Sequence, residues 1–222
     1  MPGGSSPRAS EPLDAETPPS ASGRGPETYL VLLRHGRTDL NRRRLLQGAS
    51  DLPLDDLGRR QAVEAGDYVR RHWRIDKVVC SPRRRARESL VHAGFGEDVI
   101  IEDRLAEMDY GTLEGTPVPL ASGELIDAWS TDPGYAPTGG ESLSDLYDRS
   151  VSACEHLMAT SANQTVLVCS HANPIKAIVS WALGGEASGI LRMYLRQASV
   201  SVVARVPPVV VLLGFNERTE AL

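Results

Sequence analysis

Three short apolar runs, each stopping at basic, imidazole or hydroxyl side chains, set the strongest limit on how this chain can fold. They are Tyr29–Leu33, ending at Arg34-His35-Gly36; Asp76–Cys80, ending at Ser81-Pro82-Arg83; and Thr165–Cys169, ending at Ser170-His171-Ala172. Short, unbroken and rich in Val and Leu, they fit strands covered on both faces, as in a parallel sheet. Helical periodicity follows in residues 56–73, through Leu57, Ala65 and Val69, and helices are expected over 83–92, 141–160 and 174–183. Val99–Ile101 is a further short strand, and Val200–Ala204 and Val209–Leu213, parted by Pro207-Pro208, are two late ones. Strands that alternate with helices predict an α/β chain: a single three-layer α/β/α domain with a mainly parallel central sheet.

Residues 1–27 hold almost no large apolar side chain and read as a disordered tail, which leaves residues 28–222 as the domain. The Gly- and Pro-rich stretch from Glu102 to Gly140 predicts an irregular lid over about 109–138, with one short helix near Glu124–Trp129. A net charge of −5 gives no footprint for nucleic acid or an anionic membrane. There is no membrane-length apolar run and no signal-peptide pattern at the N-terminus. Cys80, Cys154 and Cys169 are odd in number and lack metal-ligand spacing. They read as buried thiols in a reducing, cytoplasmic setting.

In an open α/β sheet, ligands bind beyond the carboxyl ends of the strands. The three run ends should therefore meet in one crevice holding two imidazoles, several guanidiniums and the N-termini of the helices that follow. Guanidiniums and helix N-termini both favour an oxyanion, and Arg matches phosphate in bidentate fashion. A histidine among such cations is held neutral and nucleophilic. The implied ligand is a phosphoryl group.

These segments carry a resemblance. Arg34-His35-Gly36-Arg37-Thr38-Asp39-Leu40-Asn41 resembles the R-H-G-x-T-x-x-N signature of the histidine phosphatase superfamily, which includes cofactor-dependent phosphoglycerate mutases. The segment 81–89 is similar to that family's S-P-x-x-R-A-x-[QE]-[TS] block, and 105–115 to its L-x-E-x-x-Y-G-x-x-E-G block. Gly139-Gly140-Glu141-Ser142 and Val168-Cys169-Ser170-His171 complete five motifs in the family's order. The resemblance implies a phosphoglycerate mutase-like fold and a division of labour. His35 would accept the phosphoryl group, Arg34, Arg85 and His171 would clamp its oxygens, and Asn41 and the Ala172 N–H would add neutral donors. Glu107 would protonate the leaving alcohol. No metal and no cofactor are implied.

Two positions depart from the pattern. Arg37 stands where the family usually has Glu or Gln. It is either a solvated loop charge or a contact favouring substrates with a second anionic group. Ala172 replaces a usual Gly and fits only if its backbone is not left-handed. His72, His92 and His156 read as surface or packing residues, Trp129 as a core or lid anchor, and Asp51, Asp55 and Asp56 as turn and cap residues. The mutases of the family carry a long insertion that seals the site, whereas Gly139 lies only 32 positions after Glu107 here. That favours a metal-independent phosphatase acting on a small phosphorylated metabolite through phosphohistidine, over a mutase-type phosphotransferase or an inactive binding relative. The edge after Val209–Leu213 offers a surface for a homodimer.

Overall fold

The computed structural model describes residues 28–219; the expected tail, residues 1–27, lies outside the described residues. Six strands form one sheet: β1 (Thr28–Arg34), β2 (Lys77–Cys80), β3 (Ile100–Ile101), β4 (Thr165–Ser170), β5 (Val200–Val206) and β6 (Val209–Glu217). Their order is β3-β2-β4-β1-β5-β6, parallel through the first four and antiparallel at β5 and β6. The helices are α1 (Asp39–Arg42), α2 (Asp56–His72), α3 (Arg84–His92), α4 (Val118–Thr131), α5 (Leu143–Thr160) and α6 (Ala172–Ala182).

The unbroken apolar strands make three layers because successive side chains point to opposite faces. Leu30 and Leu32 of β1, with Val166 and Val168 of β4, pack on Cys154 and Leu157 of α5 and Ile175 and Ile178 of α6. Val31, Leu33, Leu167 and Cys169 face the other way, onto Ala65 and Val69 of α2 and Ala86 and Leu90 of α3. All three cysteines are buried and unbridged, two of them on neighbouring parallel strands.

The stretch expected to be mostly irregular needs correction. It contains a helix of 14 residues, α4, where a short one near residues 124–129 was expected. Pro117 and Pro119 lie at its start, where a missing N–H costs nothing, so they open the helix and do not break it. Leu125 and Trp129 then bury their side chains beside Met108, Leu143, Leu146 and Ile190, and the Trp129 indole donates to the Tyr135 carbonyl at 2.9 Å. Two boundaries also move. Ser142 is the N-cap of α5, closing a capping box with Asp145, and α6 begins at Ala172 with Pro174 inside its first turn.

Gly36 and Gly58 let the loop after β1 touch the first turn of α2. A Cβ on Gly36 would lie 2.3 Å from the Gly58 carbonyl oxygen, and one on Gly58 would lie 2.0 Å from that of Arg37. This close approach fixes the peptide that follows His35. Among the described residues no helix is long and apolar enough to cross a membrane.

Candidate active site

β1, β2 and β4 are adjacent, so their carboxyl ends bring His35, Ser81 and His171 together. The His35 and His171 rings meet edge to face, centroids 4.9 Å apart. His35 is buried, and its Nδ1 lies 2.7 Å from the Gly36 carbonyl oxygen. A carbonyl only accepts, so Nδ1 carries the proton and Nε2 keeps its lone pair. Burial, and then the charges of Arg85 and Arg34, hold the His35 pKa well below the usual histidine range. The imidazole is therefore neutral near pH 7.

His171 is fixed in the same way. Nε of Arg85 donates to its Nδ1 at 3.2 Å, so Nδ1 is unprotonated, and the proton on Nε2 goes to Ser81 Oγ at 2.7 Å. Burial and the Arg85 charge also lower its pKa well below the ordinary value. Arg85 is itself wholly buried, giving its terminal nitrogens to the carbonyls of Ser50 and Gly48 at 2.7 and 2.9 Å. Burial brings its pKa down to about 10. The loop supplying those carbonyls is gripped by Glu114, which accepts from the N–H groups of Gly48 and Ser50 at 2.9–3.1 Å. One chain of hydrogen bonds thus runs from Glu114 through Arg85 and His171 to Ser81.

Glu107 lies at the N-terminus of α6. Its Oε2 accepts from the Ala172 N–H at 3.1 Å, and its Oε1 from the N–H groups of Asn173 and Met108 at 3.3 and 2.9 Å. Ala172 is the first residue of the helix and is not left-handed, so its methyl group is accommodated. The segment bearing Glu107 is held by Arg149, which donates to the carbonyls of Arg104 and Ala106 at 2.7 Å and pairs with Glu141 at 2.6 Å.

Arg34 is partly buried and donates to the Leu195 carbonyl, while its Nε has no partner. It lines a pocket of about 660 Å³ together with Arg37, Asn41, Arg42 and Arg44. Arg37 gives its Nε to Asp55 at 2.8 Å, and Asn41 closes a capping box with Thr38. Asp55 caps α2 and Asp51 accepts from the Arg84 N–H at the start of α3, so both are cap residues. Among the described residues no group of three or more His, Cys, Asp or Glu side chains is placed to hold a metal ion.

Sequence reasoning missed several supporting residues. Glu114 and Tyr110 sit inside a quoted motif but carry no charge pattern that reveals their partners; the Tyr110 hydroxyl accepts from Asn173 Nδ2 at 2.8 Å. Arg149 looks like one more helix-surface cation. Lys176 lies one helical turn beyond Ala172, and burial pulls its pKa to about 8 against the opposing influence of Glu107. Only that spacing signalled it.

A family model described as the histidine phosphatase superfamily (branch 1) matches residues 30–218. Bifunctional protein Rv2228c of Mycobacterium tuberculosis is 35% identical over 195 residues, covering 85% of this chain and 54% of that protein. The chain therefore spans about half the length of that curated relative. A glucosyl-3-phosphoglycerate phosphatase of Mycolicibacterium vanbaalenii is 35% identical over 167 residues, 70% of this chain and 74% of that one. Other relatives are named as probable phosphoglycerate mutases. The solved structure of Rv3214 from Mycobacterium tuberculosis superposes with a TM-score of 0.78 at 28% identity, covering 87% of this chain and 99% of that one.

Proposed function

The chain belongs to the histidine phosphatase superfamily, and from that premise we propose that it is a metal-independent phosphatase. On this reading it hydrolyses the phosphate monoester of a small metabolite in the cytoplasm. The observation that carries the reading is the state of His35: Nδ1–H anchored on the Gly36 carbonyl, Nε2 unprotonated, and the ring kept neutral between two guanidiniums. A nucleophile needs that lone pair already available, and the anchor aims it without any rearrangement.

Nε2 of His35 attacks phosphorus in line; the N–P bond forms as the bond to the ester oxygen breaks. Glu107 gives a proton to that departing oxygen. Water then attacks the phosphohistidine, Glu107 takes a proton from it, and inorganic phosphate leaves with His35 restored. Charge on the non-bridging oxygens meets the Arg34 and Arg85 guanidiniums and the Asn41 amide. The His171 Nε2–H and the Ala172 N–H, which donate to Ser81 and Glu107 in the free site, turn to the phosphoryl oxygens when it is filled. The fixed cations make the site complementary to phosphoryl transfer through this chain's own side chains.

Phosphatase is favoured over mutase because the interval between Glu107 and Gly139 supplies α4 and little else to exclude water from phosphohistidine. The test is steady-state hydrolysis of an aryl phosphate by wild type and His35→Ala, both in excess EDTA. Activity that vanishes in the variant supports the reading. Activity that survives in it, or wild-type activity abolished by EDTA, contradicts it.

A further inference from the structure

Arg34, at the carboxyl end of β1, donates from a terminal nitrogen to the Leu195 carbonyl, and its buried Nε has no partner. Whatever holds the Leu195 peptide therefore decides where this guanidinium sits. Leu195 belongs to the segment 193–199 that leads into β5. The far end of that segment is tied to β1: the Ala198 N–H donates to the His35 carbonyl at 3.2 Å, and the Arg34 N–H donates to the Ser199 carbonyl at 3.1 Å. The Leu195 side chain is buried in the core on the α5 and α6 side of the sheet.

One side chain grips the peptides around Leu195. Asn216 of β6 accepts from the Arg196 N–H at 2.8 Å through Oδ1, and its Nδ2 donates to the Tyr194 carbonyl at 3.0 Å. The amide thus stands in for a neighbouring strand, pairing with the residues on either side of Leu195. It leaves the Leu195 carbonyl to Arg34.

The backbone at position 216 is shaped for this contact. β5 and β6 pair Val200 with Glu217 and Val202 with Gly214, so Phe215 and Asn216 together face Ser201 in a β-bulge. A bulge interrupts the alternation of the pleat and re-aims a side chain. Asn216 has a φ of +57°, a left-handed conformation that asparagine tolerates better than most residues. Its own N–H donates to Ser201 Oγ at 3.0 Å, which secures the bulge independently of the side chain.

We propose that Asn216 is a positioning residue for phosphoryl transfer: through the peptide of Leu195 it sets the Arg34 guanidinium against the non-bridging oxygens. The inference rests on reading the crevice as a phosphoryl site, and it adds to that site a part on the last strand, outside the sequence motifs. A guanidinium displaced by about 1 Å still supplies charge but loses its aim. That loss falls on the transition state more than on the bound substrate, so kcat should suffer more than KM.

The test is a double-mutant cycle between Asn216→Gly and Arg34→Ala. It is read as kcat and KM for an aryl phosphate and as affinity for orthovanadate, a mimic of five-coordinate phosphorus. Glycine suits the left-handed backbone and keeps the N–H to Ser201, so this variant removes the amide alone. Asn163→Gly, at an exposed left-handed asparagine in the turn before β4, is the control. Asn216→Asp keeps the acceptor for Arg196 and loses the donor to Tyr194, and it carries the same cycle if the glycine variant does not fold. Asn216→Gly should lower kcat and weaken vanadate binding by about ten- to hundredfold, with KM changed by less than about threefold. Asn216→Asp should lose less, and Asn163→Gly nothing. On the Arg34→Ala background, Asn216→Gly should add less than about twofold. Equal losses with and without Arg34, an unchanged vanadate affinity, or the same loss in Asn163→Gly overturns the positioning role. Wild type that binds vanadate without turning over aryl phosphate removes the phosphatase reading, and the cycle is then read in vanadate affinity. Turnover with an additive cycle removes the positioning role alone, and wild type that neither binds nor turns over removes both.

Discussion

At the floor of the crevice, each side chain proposed to react or clamp is held by partners close to it in the fold; at the entrance, cations project into open volume from the end of α1 and the residues just beyond it. His35 is pinned to its own following peptide, His171 between Arg85 and Ser81, and Glu107 by three N–H groups, two of them from the start of α6. By contrast, Arg42 and Arg44 are exposed, Arg42 at the last position of α1 and Arg44 two residues beyond it, where its carbonyl meets the start of α4. The difference teaches where the two properties of such an enzyme are stored. Reactivity depends on fixed geometry and is set by strand ends and a buried hydrogen-bond chain, whereas choice of substrate is left to loop side chains that can change without disturbing the floor.

Replacing His35 by Ala should lower kcat/KM for an aryl phosphate by about four orders of magnitude, because the neighbouring imidazole, His171, has both ring nitrogens engaged by Ser81 and Arg85. A loss below tenfold would mean that the floor is not where the reaction occurs. On the lid side, Trp129→Ala should destabilise the fold by about 3–5 kcal/mol, measured by denaturant unfolding, since its buried indole holds α4 against the body. A value under 1 kcal/mol would show the lid helix to be loosely attached.

Glu114 tests the hydrogen-bond chain beneath the floor. Glu114→Ala leaves the Gly48 and Ser50 N–H groups unpaired and loosens the carbonyls that hold Arg85, which should cost about 1–3 kcal/mol and depress kcat more than it raises KM. Unchanged kcat with full stability would break the chain as described.

The two buried imidazoles give the floor a pH signature. Both have folded pKa values well below 6.5, so below pH 6.5 the unfolded chain binds protons that the native state does not. Stability should therefore be full above pH 6.5 and fall from there toward pH 5, by up to roughly 1.4 kcal/mol per pH unit for each histidine. The acid limb of kcat/KM should likewise lie below pH 6.5. Stability flat across that range, or an acid limb above pH 6.5, contradicts the neutral buried pair. The smallest effect is expected at the entrance. Arg37→Gln should change stability by less than about 1 kcal/mol, because its pair with Asp55 is partly exposed. It should leave the ratio of kcat/KM for mono- and bisphosphate substrates within about threefold of wild type. A larger change would give Arg37 a part in the choice of substrate.

The same division governs what could be read before the structure. The parallel sheet and the meeting of His35, Ser81 and His171 were legible because strand ends in an α/β fold share one rim, and short apolar runs mark them in one dimension. The stretch from 109 to 138 was not, because proline and glycine counts suggest irregularity while Pro117 and Pro119 open α4 and Gly123 sits within it without breaking it. The supports of the site were hidden for a different reason. Glu114 and Arg149 act on backbone groups distant in sequence, and no periodicity reports such contacts. The run Arg42-Arg43-Arg44 marks a basic entrance in the sequence, but the left-handed backbone at Arg44 is visible only in three dimensions.

The central claim is that His35 carries the phosphoryl group. Rapid quench in alkaline detergent of wild type turning over a radiolabelled phosphate ester, followed by peptide mapping in base, tests it most directly. The account predicts an acid-labile, base-stable label on the peptide containing His35, absent from His35→Ala. Label on another residue, or steady turnover with no labelled enzyme while a chemically formed phosphohistidine standard survives the same work-up, would contradict it.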